Sequence, residues 1–368
     1  MMDDRLYQKH IETVFGSKMI ESFTDAEVED AFDVLLTLLP NDGKLYKYRS
    51  IEKEAFDNYY KALEEGYLWI PPAETLNDDF DTILRFDPLV EAEHIRDYLL
   101  ANPGLYVRAL LRYDDTLKIG FDERDHKAFD KVIKCYDLDT GELIKPKAIR
   151  LLGKMGIDAL KATKYVKQVE EYVDYAIHNN EDALKSVVDN YMNINSMLRH
   201  NFHVFSMADS YQSNQMWALY ANNNRGFCIE YDFTKGKTLS IDKKKLLINT
   251  FRVFYNDQPE QYSFVNLLKW ILTGKKDKKL LRKANNDVCT QLMTKQAGWE
   301  FEQEWRVMLA HLDDNRVYLD LVSGIIIDER VMQTEEAKQL IHLCRKKGWS
   351  VILRKTQFAN AVHTYEDI

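Results

Sequence analysis

Apolar and polar positions follow two rhythms along this chain. Over residues 5–39 the apolar positions recur at helical spacing. Thr24-Asp25-Ala26-Glu27 forms a capping box ahead of a run that closes at Leu38-Leu39. Pro40-Asn41-Asp42-Gly43 is a stop and a turn. The stretch "KLYKYRS" then alternates, with Tyr46 and Tyr48 on one side, and predicts a short strand. Ser50 is placed to cap a helix over about 51–65, whose stripe is Ile51, Ala55, Tyr59 and Leu63 and whose stop is Gly66. "YLWI" predicts a second strand, closed by Pro71-Pro72.

From residue 88 to about 198 the pattern is helical and charged, with breaks near Pro103-Gly104, Asp139-Thr140-Gly141 and Gly156. Strand signals return at "FHVFSM" (202–207), followed by a short amphipathic helix, "NQMWALYA", and strands at "GFCIEYDF" and "LINTFRVFY". A helical stretch covers 260–298 with a break at Thr273-Gly274. Its stripe Leu281, Ala284, Val288, Leu292 extends to Lys295 and puts that lysine on the core side of the helix. "WEFEQEWRVML" follows as a strand, and "GIIID" and "WSVIL" flank a helix at 332–347. The expected fold class is α+β: a mixed sheet of short strands with flanking helices and a large all-helical insertion. The segments are N-terminal helices at 1–43, a first part of the α+β core at 44–87, the helical insertion at 88–199 and a second part of the core at 200–368.

Composition narrows the picture. The 368 residues are 45% hydrophobic and 30% charged, the profile of a globular protein, with a formal net charge of -9 that does not favour nucleic acid as a partner. Cys135, Cys228, Cys289 and Cys344 are dispersed and form no C-x-x-C, so free thiols in a reducing cytoplasm are expected rather than a zinc ribbon or a disulfide framework. The opening "MMDDRLYQKHIETVFG" has no apolar signal core and no later run suits a membrane span, so a cytoplasmic chain with no membrane partner is expected. P-loop, G-x-S-x-G and H-E-x-x-H motifs are absent. The basic run at 275–283 reads as a solvated helix face.

Three stretches carry candidate chemistry. In "WEFEQEWR", strand alternation puts Glu300, Glu302, Glu304 and Arg306 on one face and Trp299, Phe301, Gln303 and Trp305 on the other. Like charges that close repel unless paired or solvated. Either this is an exposed face that Arg306 partly neutralises, or Lys295 and Arg306 hold one carboxylate ionised in a cleft while another remains free for chemistry. In "FSMADSYQSNQMWALYANNNRGFCIEYD", Ser206 ends a strand, Met216 and Trp217 read as core positions, Tyr220 adds a hydroxyl, and Gly226 closes a polar turn in which the glycine itself is expected at positive φ. The acidic loop Asn77, Asp78, Asp79 and Asp81 reads as a turn or as oxygen ligands for a hard cation, although EF-hand spacing is absent and no metal ligand set is assigned.

Taken in order, "LYKYRS", "LWIPPAETLNDDFD", "FSMADSYQSNQMWALYANNNRGFCIEYD" and "KQAGWEFEQEWRVML" resemble DUF2971, a bacterial family of unknown function. The likeness covers 44–82 and 202–354. Asp79 stands where that family usually has proline, and Asp81 where it usually has glutamate. A basic and tyrosine-bearing strand, then a strand ending in Ser, then a strand with Glu-x-Glu is similar to the order that ADP-ribosyltransferase folds use around a split sheet. That analogy implies NAD as substrate. Glu304 would stabilise oxocarbenium character, Glu302 would steer the acceptor, and Ser206 would stand beside them. Lys47 or Arg49 would meet the pyrophosphate, and Tyr48 or Tyr220 would stack on the nicotinamide. The expected function is an NAD-consuming transferase or glycohydrolase, a toxin or phage-defence effector acting on an unknown macromolecular or small-molecule acceptor. Two alternatives stand beside it: a metal-dependent nuclease or phosphodiesterase using the acidic loop with Glu302 and Glu304, and a non-enzymatic sensor or interaction module.

Overall fold

The computed structural model describes residues 4–16, 20–76, 78, 80–113, 123–137, 140–178, 185, 189, 193–258, 260–273, 278–360 and 362–368. Its strands are β1 (Lys44–Ser50), β2 (Tyr67–Trp69), β3 (Phe202–Ala208), β4 (Gly226–Asp232), β5 (Thr250–Arg252), β6 (Phe254–Tyr255), β7 (Thr294–Lys295), β8 (Glu304–Ala310), β9 (Arg316–Tyr318), β10 (Val322–Asp328), β11 (Ser350–Gln357) and β12 (Val362–Asp367). Eight of them form one sheet in the order β12-β11-β10-β4-β1-β3-β8-β5, antiparallel except between β10 and β11. β2 pairs with β9 and β6 with β7 in two small ribbons. With its helices, the protein is α+β.

The chain divides into two compact units. One comprises Met1–Ile83, Met197–Pro259 and Asn285–Ile368, and holds the large sheet. Its helices form for legible reasons. Thr24 and Glu27 close the capping box that opens Asp25–Leu38, and Thr334 caps Glu335–Lys347, which ends on Gly348 in the left-handed region. The second unit comprises Leu84–Ser196 and Glu260–Ala284. Helices such as Lys145–Lys154 and Ala159–His178 bury Val132, Leu152, Val166 and Val169 in a core of their own, and Tyr136 and Leu143 form an isolated bridge. Buried Glu91 accepts the Phe264 N–H at 2.7 Å within this unit, whereas the expected segments count 260–284 with the second part of the α+β core.

Several expectations need correction. "LINTFRVFY" is not one strand: Leu246 and Leu247 end a helix, and β5 and β6 follow separately. Ser50 does not cap the helix Lys53–Glu65; Glu52 stands at that cap, and the Ser50 hydroxyl accepts its N–H. "WEFEQEWR" is not a continuous strand either. Ala297–Glu302 is a 3₁₀ helix, Gln303 takes a φ of 43°, and β8 begins only at Glu304. Lys295 lies on β7 and not on the helix, which stops at Leu292. Gly226 has no positive φ; Asn222, Asn223 and Asn224 take it instead, at 46°, 54° and 63°. The glycine is required for a different reason. A Cβ there would lie 2.2 Å from the Arg49 carbonyl oxygen, so only glycine lets β4 approach β1 at this end.

Candidate functional site

The sheet is split at its centre. β1 pairs with β4 through seven residues from Lys44 to Ser50, and β3 pairs with β8 through seven from Phe202 to Ala208. β1 and β3 meet only at Tyr46 and Ala208. Beyond that point β3 turns to the segment before the 3₁₀ turn Ala73–Thr75: Val204 donates its N–H to Pro71, and Pro72 bridges His203. A wedge is therefore open between residues 47–49 of β1 and 204–206 of β3. It contains a cavity of about 340 Å³ walled by Lys47, Arg49, Phe205, Ser206, Tyr220 and Glu302, among others.

Strand alternation sets what enters it. Tyr46 and Tyr48 point to the face carrying Met216 and Trp217, and Tyr48 meets the Trp217 ring edge-on at 5.4 Å. The Tyr48 hydroxyl donates to the Ser210 carbonyl at 2.8 Å, so this ring belongs to the core. Lys47 and Arg49 occupy the opposite parity. The Lys47 ammonium spans the wedge, donating to the Ser206 carbonyl and lying 4.2 Å from the Phe205 ring centroid. Burial and then Arg49 push its pKa well below the ordinary lysine value, against the pull of Glu304 and Glu302. Arg49 rests over the Tyr59 ring at 4.5 Å.

On the other side stands a cluster of charges. Arg306 is 0% exposed and binds two carboxylates at once. Its terminal nitrogens meet Asp81 Oδ1 and Oδ2 at 2.7 Å each, while Nε and Nη2 meet Glu304 Oε1 and Oε2 at 2.7 and 2.9 Å. Thr82 Oγ1 accepts a further bond at 3.2 Å. Lys295 donates to Glu302 at 2.6 Å and Glu304 at 3.3 Å, lies 3.6 Å from Asp81, and sits over the Trp299 ring at 4.8 Å. Tyr220 donates its hydroxyl to the other oxygen of Glu302 at 2.5 Å, and Tyr255 accepts the Glu304 N–H at 2.8 Å.

Two cations against three carboxylates leave one negative charge in excess, and the geometry decides where it falls. Burial pushes Glu304 up, but Arg306 and Lys295, helped by the Ser206 hydroxyl, hold it far below the usual carboxylate range. Glu302 is raised by burial and by the Glu304 charge, which together outweigh Lys295 and Tyr220. Lys295 is held ionised, its partners Glu304, Asp81 and Glu302 overcoming its burial. The two glutamates thus have proton affinities pushed in opposite directions, the pattern that separates a fixed ion from a proton-exchanging group.

The structure gathers Lys47, Arg49, Ser206, Tyr220, Lys295, Glu302, Glu304 and Arg306 around this wedge. Trp217 is fully buried, its indole N–H bonded to the Tyr211 carbonyl and its face covered by Arg354 at 4.6 Å. Gly226 acts through the β1–β4 approach. Asp78 accepts the Phe80 N–H, which makes it a turn residue. Asn77 and Asp79 lie outside the described residues. Glu300 is exposed, apart from the cluster. Sequence reasoning did not anticipate Asp81 as the partner of Arg306, nor Thr82 and Tyr255 as supports. The acidity of the loop at 78–81 was the available signal for Asp81. Among the described residues no group of three or more His, Cys, Asp or Glu is arranged to hold a metal ion, and no helix is long and apolar enough to cross a membrane. The four cysteines are free and buried.

Neither the curated proteins nor the solved structures contain a match to this chain. The stretch 44–82, which supplies Lys47, Arg49 and Asp81, lies outside the family match at 216–307. Residues 216–307, the span that supplies Tyr220, Lys295, Glu302, Glu304 and Arg306, match the family described as a protein of unknown function, DUF2971.

Proposed function

We propose that the wedge between β1 and β3 is an active site that breaks the nicotinamide–ribose bond of NAD, as an ADP-ribosyltransferase or an NAD glycohydrolase does. The observation that carries this reading is the split itself. It sets a basic pair on one strand, a serine on the next, and Glu304 at the start of the third with Glu302 at the end of the 3₁₀ helix before it, around one cavity.

The chemistry follows from the charges. The C1′–N bond breaks with its electron pair passing to the nicotinamide nitrogen, so a cationic ring leaves as a neutral one and needs no proton. The ribose develops oxocarbenium character, and the Glu302 and Glu304 carboxylates on the cavity wall favour it. Water, or a hydroxyl of an acceptor, forms the new C1′–O bond and gives its proton to Glu302, whose raised pKa suits a general base. Glu304, held ionised by Arg306 and Lys295, fixes Lys295 and thereby Glu302. Tyr220 orients the same carboxylate and exchanges the stacking role expected of it for this one. Consumption of NAD would suit a toxin or phage-defence effector in the cytoplasm.

The experiment is incubation with NAD labelled in the nicotinamide ring, following release of free nicotinamide with Glu302→Gln as the control. Release by the wild type and not by the variant supports the reading; no release by either, over a range of acceptors, removes it.

One observation favours a second reading. Every N–H of Arg306 has an acceptor, as a purely structural ion cluster inside a sensor or interaction module would require. A nuclease reading has less support, because a divalent cation at Asp81, Glu302 and Glu304 would have to displace the guanidinium and ammonium that already take their oxygens.

A further inference from the structure

A larger cavity, of about 660 Å³, adjoins the wedge. It lies among the helix Lys53–Glu65, the β2–β9 ribbon and β4, and is lined by Ala62, Tyr67, Ile229, Tyr231, Leu319 and Trp349, among others. The two cavities share Arg49, Tyr59, Trp69 and Phe205. Arg49 is the cation of that common wall. Among the described residues no hydrogen bond or ion pair reaches its guanidinium, which lies over the Tyr59 ring with Tyr231 and Cys228 near enough to act on its charge. A half-buried guanidinium without a counter-ion is costly, and an anion brought into the junction removes that cost. Of the two carboxylates lining the larger cavity, Asp314 is bonded to Arg316 at 2.7 Å and Asp320 is exposed. Aromatic surface is available on the far side, from Tyr67 and Trp349, and at the junction, from Tyr59 and Trp69.

A ligand that suits this arrangement has an aromatic base at one end, a doubly charged linker in its middle and a second ring beyond it. We propose that the larger cavity takes the nucleoside-diphosphate half of the ligand, with the base among Tyr67, Trp69 and Trp349 and the diphosphate on Arg49. The assignment rests on the reading of the wedge as an NAD site, because it supplies the other half of the same molecule, yet binding of a nucleoside diphosphate can be measured without any turnover. Arginine is suited to this task because its planar fork meets two phosphate oxygens together.

The test uses the whole chain and ADP as the probe, followed by calorimetry and by quenching of Trp69 and Trp349 fluorescence. Arg49→Met removes the cation. Ala62→Trp fills the larger cavity from its helix wall, and Ala62→Leu is a milder filling should the first fail to fold. ADP should bind the wild type, and Arg49→Met and the Ala62 variant that folds should each weaken it by about tenfold or more. Nicotinamide mononucleotide should bind wild type and Ala62 variants alike, and in turnover the Ala62 variants should raise KM for NAD with kcat held. ADP that fails to bind the wild type at millimolar concentration, or that binds the Ala62 variants as tightly, overturns the proposal. Nicotinamide release with an unchanged KM in those variants would overturn this assignment and leave the catalytic reading. ADP binding with the expected variant losses but no nicotinamide release would sink the catalytic reading and leave this one.

Discussion

Arg306 grips Asp81 side-on, each terminal nitrogen 2.7 Å from one carboxylate oxygen, across 225 positions of the chain. The same guanidinium holds Glu304, so a single buried side chain ties the acidic loop to the start of β8. Arg306→Ala would leave two buried carboxylates short of their cation. The expected loss is about 3–5 kcal/mol of stability. Arg306→Lys would recover only part of it, because a point charge cannot meet both carboxylates in the plane of the fork. Urea unfolding of the two variants reads this directly. An Arg306→Ala midpoint equal to that of the wild type would show that the pair contributes nothing.

This contact also marks the limit of what one sequence can disclose. Lys295, Glu302, Glu304 and Arg306 are close in sequence, and their charges alone indicate that they must neutralise one another. The device that assembles them was not legible. Alternation through "WEFEQEWR" gave Glu302 and Glu304 a shared face, whereas the chain reaches that proximity through a 3₁₀ turn and the left-handed Gln303. The alternation signal is the same in both cases, because a non-glycine residue at positive φ has no mark in the sequence. The strand at Tyr46 and Tyr48 was legible, since aromatic alternation and a preceding turn agree. Its divergence from β3 was not, because a sheet opens through long-range pairing and not through local propensity.

Glu302 and Glu304 impose opposite pH dependences. Glu304 is depressed, so the stability it contributes is present above its unfolded pKa and is lost as pH falls through its folded value. Glu302 is raised, so its contribution is present below its unfolded pKa and is lost as pH rises through its folded value. Glu302→Gln should therefore flatten the stability profile on the weakly acidic side, above the ordinary glutamate range, and leave the steeper loss in strong acid. A series of urea midpoints over pH for the two proteins decides it; parallel curves would contradict the assignment.

The same variant separates stability from activity. Glutamine keeps the shape of Glu302 and can still accept from Lys295, so Glu302→Gln should fold. Nicotinamide release should nevertheless fall by about 10²–10⁴-fold, the usual contribution of a positioned general base. A folded variant with an unaltered rate would remove Glu302 from the chemistry.

Gly226 tests the architecture of the wedge. An added Cβ meets the Arg49 carbonyl oxygen at 2.2 Å and Ala221 Cβ at 2.9 Å, and neither belongs to a flexible side-chain end. Gly226→Ala should cost about 1–3 kcal/mol, the range for overpacking. It should also weaken ADP binding, since the displaced strand carries Arg49. Unchanged stability with unchanged ADP binding would mean that β1 and β4 can separate here without consequence.

Tyr220 distinguishes orientation from catalysis. Its hydroxyl donates to Glu302, and that bond favours the ionised carboxylate. Tyr220→Phe removes the donor and keeps the ring, so the pKa of Glu302 should rise further. The acid limb of the rate profile should move to higher pH, because the base must lose its proton to act, while the plateau rate at alkaline pH stays within about threefold of the wild type if Tyr220 only positions. The full profile of nicotinamide release against pH is the measurement. A plateau that collapses with an unmoved acid limb would make Tyr220 a participant in the bond-breaking step; a profile identical to that of the wild type would show that its hydroxyl does not govern the proton on Glu302.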